Sequence, residues 1–299
     1  MMGRIFLCLL TLMSLLPRKV SQGLGKLVGR CHYHLDTHVT KVSRVNIGLC
    51  NPSLSQSEQE NLVYRNLMHS GQLLMEIPAV WSGSGKRLAS WIESVQNESI
   101  LIEAKQSGRG VIVLLPHFGN WELFNVYFTR HGSMTALYQP PKQTYLRPVM
   151  QEVRQLYGNE LVATNVKGIA RLYRCLEQGK VVTILPDQVP ATGIYAPFFN
   201  VETFTDPLIP RLIRKTGALV VAVLIRRLHN GRFSVEWFKV DNEVYNSDIS
   251  KAVRAINQTV EDCIAVAPDQ YQWGYKRFKK RPAGLKQIYR FNKPEKFHQ

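Results

Sequence analysis

Cysteine is scarce in this sequence and is not arranged for cross-linking. The 299 residues include five cysteines, which are widely spaced and contain no Cys-x-x-Cys pair. This pattern is typical of isolated small apolar side chains in a reducing compartment, and it argues against a disulfide framework or a cysteine-based zinc site. Charged residues are also few, at 20% against 45% hydrophobic residues, which excludes an intrinsically disordered chain.

Metal-ligand clusters are equally sparse. The one loose group of histidines is His32, His34 and His38, and Asp36 is the only carboxylate beside it. A metal site at this spacing needs a further ligand. We therefore expect a polar loop here, and the sequence predicts neither a metal nor another cofactor.

Acidic residues are the scarcer of the two charged classes. There are 22 Asp and Glu against 38 Lys and Arg, which gives a net charge of +16. Such an excess predicts an anionic partner. Nucleic acid, an acidic membrane surface and an acidic carrier protein all fit this charge, and the charge alone does not distinguish them.

The apolar run at the N-terminus is too short to cross a bilayer. As a helix, residues 5–16 would be about 18 Å long against a hydrocarbon core of about 30 Å, and no small-x-small cleavage site follows. Further apolar residues then alternate with Lys26 and Arg30: Val20, Leu24, Leu27 and Val28. We predict that residues 1–30 form a helix lying on an anionic membrane surface, ahead of one domain in residues 31–299. A buried terminal helix is the alternative.

Strands and helices alternate from residue 110 onward. Continuous apolar runs at residues 111–115, 181–185 and 218–225 are typical of buried parallel strands. The pair Asn230-Gly231 predicts a hairpin turn that returns residues 233–240 antiparallel. Helical patterns accompany the strands, at residues 143–156, 168–178, 208–215 and 250–266. We therefore predict an α/β fold in a single domain, with a mostly parallel central sheet flanked by helices and an apolar N-terminal helix that anchors it to a membrane.

A long helix is expected upstream of the sheet. Residues 57–60 read as a capping box that opens it, and Pro78 is expected to end it.

The segment after the first strand combines a histidine with a carboxylate. His117 and Glu122 are five residues apart, so they cannot meet on a regular helix or strand. They meet only if the chain turns between them, and Gly119 permits such a turn while Asn120 suits the start of a helix. We expect Glu122 to orient the imidazole and His117 to act as a base, although a plain structural hydrogen bond remains open.

Asp187 follows the second buried strand in the same way. Since ligands of open α/β sheets bind beyond the carboxyl ends of strands, both turns are expected to open onto one crevice. The sequence contains no Gly-x-Ser-x-Gly elbow and no cysteine in a helix-opening turn. This favours direct transfer to a substrate hydroxyl with His117 as the base.

Four sequence motifs together resemble one family. They are residues 117–122 (HFGNWE), 138–141 (YQPP), 186–188 with 197–199 (PDQ and PFF), and 267–273 with 277–282 (APDQYQW and RFKKRP). In this order they resemble the bacterial lipid A late acyltransferases, which are relatives of the glycerolipid acyltransferases and carry a His-x4-Glu motif. The resemblance covers nearly the whole chain, including the apolar N-terminus.

The resemblance implies transfer of a fatty acyl group from acyl carrier protein to a hydroxyl of a lipid A precursor, at the cytoplasmic face of a bacterial inner membrane. His117 would be the general base and Glu122 its orienting partner. The backbone N–H groups of Gly119 and Asn120 would be candidates for oxyanion donors, and Asp187 would lie at the rim of the site. Partners would be the carrier, the glycolipid and the anionic membrane, with no nucleic acid.

One motif departs from the family. Where the family often has Tyr-Arg-Pro, this chain has Gln139, and a phosphate or carboxylate contact is lost with that arginine. We expect Arg154 to supply the phosphate-facing charge, with Arg147 and Lys142 behind it. The change leaves open which hydroxyl is acylated and whether the acceptor is another membrane lipid.

Two other functions compete with this assignment. One is a non-enzymatic binder of anionic surfaces or nucleic acid, which would use the basic residues 276–281 with interleaved aromatic side chains at Trp273, Tyr275 and Phe278 to stack bases. The other is a metal-dependent hydrolase, in which Asp187 would join His117 and Glu122 as a ligand.

Overall fold

A seven-stranded sheet forms the centre of the computed structural model, which describes residues 10–138 and 158–291. The strands are Ile92–Gln96 (β1), Val111–Leu114 (β2), Thr135–Tyr138 (β3), Glu160–Ala163 (β4), Val181–Ile184 (β5), Leu219–Arg227 (β8) and Phe233–Lys239 (β9). A separate antiparallel hairpin consists of Ile194–Phe198 (β6) and Val201–Thr205 (β7). The sheet order is β1-β9-β8-β2-β5-β3-β4.

Most strand pairs in the sheet are parallel. Strands β4, β3, β5, β2 and β8 run in one direction, β9 returns antiparallel to β8, and β1 pairs in parallel with β9. The predicted α/β fold with a mostly parallel sheet is confirmed, as are the three buried strands and the antiparallel return after Asn230-Gly231.

Nine helices flank the sheet within the described residues, apart from the short helical stretch at residues 10–14 and single 3-10 turns. They are Arg18–His34 (α1), His38–Cys50 (α2), Gln56–Ser82 (α3), Gly85–Ala89 (α4), Ser99–Gln106 (α5), Phe124–Phe128 (α6), Val166–Glu177 (α7), Leu208–Thr216 (α8) and Ile249–Val266 (α9). The predicted helix at residues 143–156 lies outside the described residues.

Each face of the sheet has its own hydrophobic core. Ile112 and Leu114 of β2 belong to the core that contains α2, α3, α7, α8 and α9, whereas Val111 and Val113 belong to the core that contains α4, α5 and α6. All four side chains are fully buried. Because both faces of β2 are covered, its sequence is apolar at every position rather than at alternate ones.

Both predicted limits of helix α3 were wrong. The capping box consists of Ser55 and Glu58, two residues before the expected pair: the Glu58 N–H donates to the Ser55 hydroxyl, and the Ser55 N–H donates to the Glu58 carboxylate. Pro78 lies inside the helix, which continues to Ser82. Proline removes one helical donor, but Ala79 and Val80 beyond it are buried in the core and hold the last turn in place.

Helix α1 packs closely against α3 through glycine. A Cβ at Gly25 would lie 2.4 Å from the Cα of Gln72, and one at Gly29 would lie 2.3 Å from the Leu67 oxygen. Apolar side chains on the other side of α1 are exposed, among them Leu24 and Leu27. No helix in the described part of the chain is long and apolar enough to span a membrane.

Candidate active site

The turn that follows β2, residues 116–122 (the β2 turn), is fixed by main-chain hydrogen bonds. The Gly119 N–H donates to the Gln270 carbonyl at 2.9 Å, and the Asn120 N–H donates to the Ile225 carbonyl at 3.1 Å. Gly119 has a φ of +56°, and a Cβ there would lie 1.9 Å from the Ile225 oxygen. Glycine is therefore required at this position, as the sequence analysis expected for a chain that turns here.

Asp187 binds His117 from the neighbouring strand. Since β5 lies beside β2, their carboxyl ends are adjacent and Asp187 reaches the β2 turn. One carboxylate oxygen accepts from the His117 main-chain N–H at 2.9 Å, and the other lies 2.7 Å from the imidazole Nδ1. Both residues are buried. This two-point contact fixes the main chain and the ring of His117 together.

The hydrogen bonds of the ring define its tautomer. Burial raises the pKa of Asp187, but the facing His117 and its hydrogen bonds outweigh burial, so the pKa of this carboxyl lies below its usual range. An ionised carboxylate only accepts hydrogen bonds, so Nδ1 carries the proton. Nε2 is then an acceptor, and the side-chain amide of Gln188 lies 3.0 Å from it. Gln188 is exposed, so the basic nitrogen faces the solvent-accessible side.

A tyrosine and an arginine lie behind Asp187. Burial raises the pKa of the Tyr271 hydroxyl well above its usual range, and the neighbouring Asp187 adds to this effect. Arg277 is buried, and its guanidinium donates to the Phe204 carbonyl at 2.8 Å and to the Thr205 hydroxyl at 2.9 Å. Burial lowers the pKa of Arg277, and the negative charge of nearby Asp187 opposes this effect. A buried cation thus partly balances the Asp187 charge.

Glu122 does not hold the Nδ1 side of the imidazole, because Asp187 occupies it. The predicted role of Glu122 as an orienting partner of His117 stays a prediction. Glu122 lies in the 3-10 turn Trp121–Leu123 and is buried, with 2% of its surface exposed. The indole of Trp121 packs edge-on against the His117 ring, with centroids 5.1 Å apart.

Asn120 and Gly119 also differ from expectation. Asn120 occupies the N-cap position of the 3-10 turn, but its side chain makes no capping bond there; it donates instead to Glu76 of α3 at 2.9 Å. The N–H groups of Gly119 and Asn120 both donate to carbonyl oxygens, so neither is free for an oxyanion, and the expectation that they are its donors is corrected.

A family model described as bacterial lipid A biosynthesis acyltransferase matches residues 2–280. The chain belongs to this family. A lipid A biosynthesis lauroyltransferase of Escherichia coli (strain K12) is 28% identical over 278 residues, covering 92% of this chain and 90% of that protein. The palmitoleoyltransferase of the same strain is 28% identical over 281 residues, with 92% and 90% covered, and its myristoyltransferase is 24% identical over 283 residues, with 93% and 86% covered.

Membership of this family makes the protein an acyltransferase enzyme, and the predicted resemblance is confirmed. The alternative of a non-enzymatic binder is therefore wrong. The aromatic residues that it used to stack bases are also largely internal: Trp273 and Phe278 are fully buried in the core.

The C-terminal basic segment of this acyltransferase is partly structural. Arg277, one of the basic residues 276–281 that a non-enzymatic binder would use, is buried. The Lys280 ammonium donates to the carbonyl oxygens of Pro190 and Ala191, at 2.9 and 2.7 Å. These two residues follow Gln188 closely in the chain. Lys280 therefore holds the loop whose residue Gln188 contacts the imidazole.

Arg154, Arg147, Lys142 and Gln139 of the acyltransferase lie outside the described residues. Within residues 10–138 and 158–291, no group of three or more His, Cys, Asp or Glu side chains is arranged to hold a metal ion.

Residues near the C-terminus also hold the β2 turn, and their role was not predicted from the sequence. The His117 carbonyl accepts from the Gln272 N–H at 3.0 Å, and Phe118 forms a β-bridge with Tyr271. Gln270, Tyr271 and Gln272 belong to the APDQYQW motif, which was noted only as a likeness. The contact between this motif and the His-x4-Glu motif forms only in the fold, so spacing along the chain did not indicate it.

Proposed function

We propose that this acyltransferase moves a fatty acyl chain from acyl carrier protein to a hydroxyl group of a lipid A precursor, with His117 as the general base. The observation that carries the proposal is the hydrogen bonding of the imidazole. Nδ1 faces a buried carboxylate and Nε2 faces an exposed amide that a substrate hydroxyl can replace. This is the arrangement a base needs, because it accepts a proton at Nε2 while the carboxylate stabilises the resulting imidazolium.

The reaction then proceeds in two steps. The acceptor hydroxyl gives its proton to Nε2 of His117, and its oxygen attacks the carbonyl carbon of the acyl thioester. The tetrahedral intermediate collapses with cleavage of the carbon–sulfur bond, and the imidazolium returns the proton to the leaving sulfur. The products are the ester and the free thiol of the carrier. Asp187 stays ionised throughout, as its lowered pKa favours.

Glu122, Gly119 and Asn120 remain part of the proposed site. Glu122 is a buried carboxylate in the same turn as His117. We propose that it takes part in the reaction because it occupies the glutamate position of the His-x4-Glu motif. Gly119 acts by allowing the turn, and Asn120 by its buried side chain. Arg154 is proposed to face a phosphate of the acceptor.

Charge and exposure support the proposed acyl donor and the proposed location. The net charge of +16 suits an acidic carrier protein and an anionic membrane. Helix α1 exposes Val20, Leu24 and Leu27, which suits insertion of residues 1–30 into the surface of the inner membrane at its cytoplasmic face.

Mass spectrometry of lipid A from cells with and without the gene tests the proposal. We expect loss of one acyl chain without the gene and its return when the gene is restored. A gene carrying His117→Ala should fail to restore the chain although the protein is present at normal amounts. Unchanged lipid A in the gene deletion, or full restoration by His117→Ala, would contradict the proposal.

A further inference from the structure

A buried carboxylate outside the β2 turn binds a side chain of that turn. Glu76, in α3, has no exposed surface. One of its oxygens accepts from Arg227 at 2.6 Å and from Asn120 at 2.9 Å. The other accepts from Gln22 at 2.7 Å and from Arg227 at 3.2 Å. Three side chains from three separate parts of the chain therefore meet at one carboxylate.

A contribution to stability is a weak explanation for a buried ion pair such as Glu76 with Arg227. A buried ion pair costs much of its attraction in desolvation, and an apolar pair of similar volume is often as stable. What the ion pair adds is direction, because a carboxylate with four hydrogen bonds fixes the orientation of each donor.

The Asn120 end of this cluster lies in the β2 turn. Asn120 is three residues from His117 and is fully buried. Its amide nitrogen binds Glu76, while its amide oxygen has no hydrogen-bond partner among residues 10–138 and 158–291. Glu76 is therefore the side-chain partner that sets the orientation of the Asn120 amide.

The Arg227 end is tied to the same turn by a second route. The side chain of Gln270 binds the main chain of Arg227 at both its N–H (2.7 Å) and its carbonyl (2.8 Å). The main-chain carbonyl of Gln270 in turn accepts from the Gly119 N–H. The ion pair of Glu76 with Arg227 thus links both sides of the turn that presents His117.

The Gln22 end connects this cluster to helix α1. The Gln22 amide donates to Glu76 and to the Gly231 carbonyl in the β8–β9 hairpin, both at 2.7 Å. Close packing at Gly25 and Gly29 holds the α1 backbone against α3. The helix proposed to lie on the membrane is therefore bound directly to the carboxylate that orients Asn120.

From these contacts we infer that Glu76 is a positioning residue for acyl transfer: it holds Asn120 and the β2 turn so that His117 is correctly placed, and Gln22 ties helix α1 to it. This inference rests on the proposed function of His117. Glu76 touches no reacting atom, so its loss affects the rate of the chemical step and not the binding of substrates.

The test compares Glu76→Gln with Glu236→Gln in steady-state assays with acyl carrier protein thioester and a lipid A precursor in detergent micelles. Each oxygen of Glu76 accepts from two donors, so in Glu76→Gln the new NH2 group meets two donors in either orientation of the amide. The hydrogen bonds of the cluster are therefore disrupted. Glu236 is a matched control, because it is a buried carboxylate paired with Arg226, the residue before Arg227. We expect kcat to fall at least tenfold in Glu76→Gln, with both KM values within twofold, and kcat to stay within twofold in Glu236→Gln.

Asn120→Ala provides a second measurement that leaves the ion pair intact. If Glu76 acts through Asn120, this variant lowers kcat by a similar factor, and the double variant is no slower than the slower single variant. Gln22→Ala should lower kcat by a smaller factor, also at constant KM.

Several outcomes overturn the inference. These are a kcat for Glu76→Gln within twofold of Glu236→Gln, an effect on KM alone, or fully multiplicative losses in the double variant. If Glu76→Gln does not fold, a kcat for Asn120→Ala within twofold of wild type overturns it. A wild-type enzyme that transfers no acyl chain would instead overturn the proposed function, and this inference with it.

Discussion

His117 is contacted at both ring nitrogens by consecutive residues of one loop. Asp187 binds Nδ1 and Gln188 binds Nε2. The two contacts have opposite consequences for chemistry. The first is buried and fixed by a further bond to the His117 main chain, while the second is made by an exposed amide. Under the proposed mechanism, the acceptor hydroxyl therefore approaches His117 from the Nε2 side.

The identity of the orienting carboxylate can be tested by replacing each candidate with its amide. Asp187→Asn should lower kcat by about 100-fold or more, because it removes the charge that stabilises the imidazolium. It should also remove the downfield proton resonance of the hydrogen-bonded Nδ1–H in NMR spectra. Glu122→Gln should retain that resonance even if it lowers the rate. A resonance that persists in Asp187→Asn and disappears in Glu122→Gln would reverse the assignment.

We expect the stability of the protein to depend on pH through His69. Burial, followed by the charge of Arg227, lowers the pKa of His69 to about 3, and its Nδ1 lies 2.9 Å from the Arg227 guanidinium. The unfolded chain binds a proton at this residue near pH 6.5, whereas the folded protein does not, so stability falls as pH decreases below about 6.5.

The effect should be measurable by urea unfolding. Between pH 7 and pH 5, His69 should account for about 2 kcal/mol of lost unfolding free energy. His69→Asn keeps a side-chain acceptor for Arg227 but does not titrate, so its stability should fall less over the same range. Parallel pH profiles for the two proteins would show that His69 is protonated in the folded state.

At the scale of elements, the strands predicted from sequence are those buried on both faces. Residues 111–115, 181–185 and 218–225 are apolar without interruption, and this signal is local. Strands β3 and β4 have four residues each and are only partly buried, so their sequences carry little pattern. The start of α3 was missed because Ser55 with Glu58 and Ser57 with Glu60 lie in overlapping windows of the sequence.

The sequence predicted which residues follow the strands at the active site, but not which of them are in contact. His117 and Asp187 follow predicted strands, so their proximity could be expected. Which carboxylate binds the imidazole depends on the adjacency of β2 and β5, and spacing along the chain does not contain that information. The same limit hid Glu76, whose partners Gln22 and Arg227 are 54 and 151 residues away.

Helix α1 has two faces with different surroundings. Its glycines contact α3, and its apolar side chains Leu24 and Leu27 are 40% and 55% exposed. Lys19, Lys26 and Arg30 are also exposed. Apolar residues beside cations suit the surface of an anionic bilayer.

Replacing Leu24 and Leu27 together by glutamate should weaken membrane binding at least about tenfold, because two apolar contacts are lost and two anions face anionic lipid. Co-sedimentation with vesicles that contain anionic lipid measures this. Val166→Glu is a matched control, since Val166 is also exposed but lies on α7. Equal sedimentation of the double variant and the control would contradict a membrane-facing α1.

At the scale of the whole molecule, part of the positive charge is internal. Arg227 is buried against Glu76, and Arg277 is buried near Asp187. Neither arginine therefore contributes to a charged docking surface. The exposed cations of α1 lie on the helix proposed to face lipid. The remaining surface excess is what an acidic carrier protein would meet.

Long-range attraction to an acidic carrier predicts a specific dependence on salt. Because salt screens exposed charges, the KM for acyl carrier protein thioester should rise severalfold between about 0.05 and 0.3 M salt. A neutral donor that carries the same acyl chain, such as its N-acetylcysteamine thioester, lacks the carrier surface and should change its KM less than twofold. If both KM values rise together, the salt acts on the acyl site or on the lipid acceptor, and the carrier does not dock through charge.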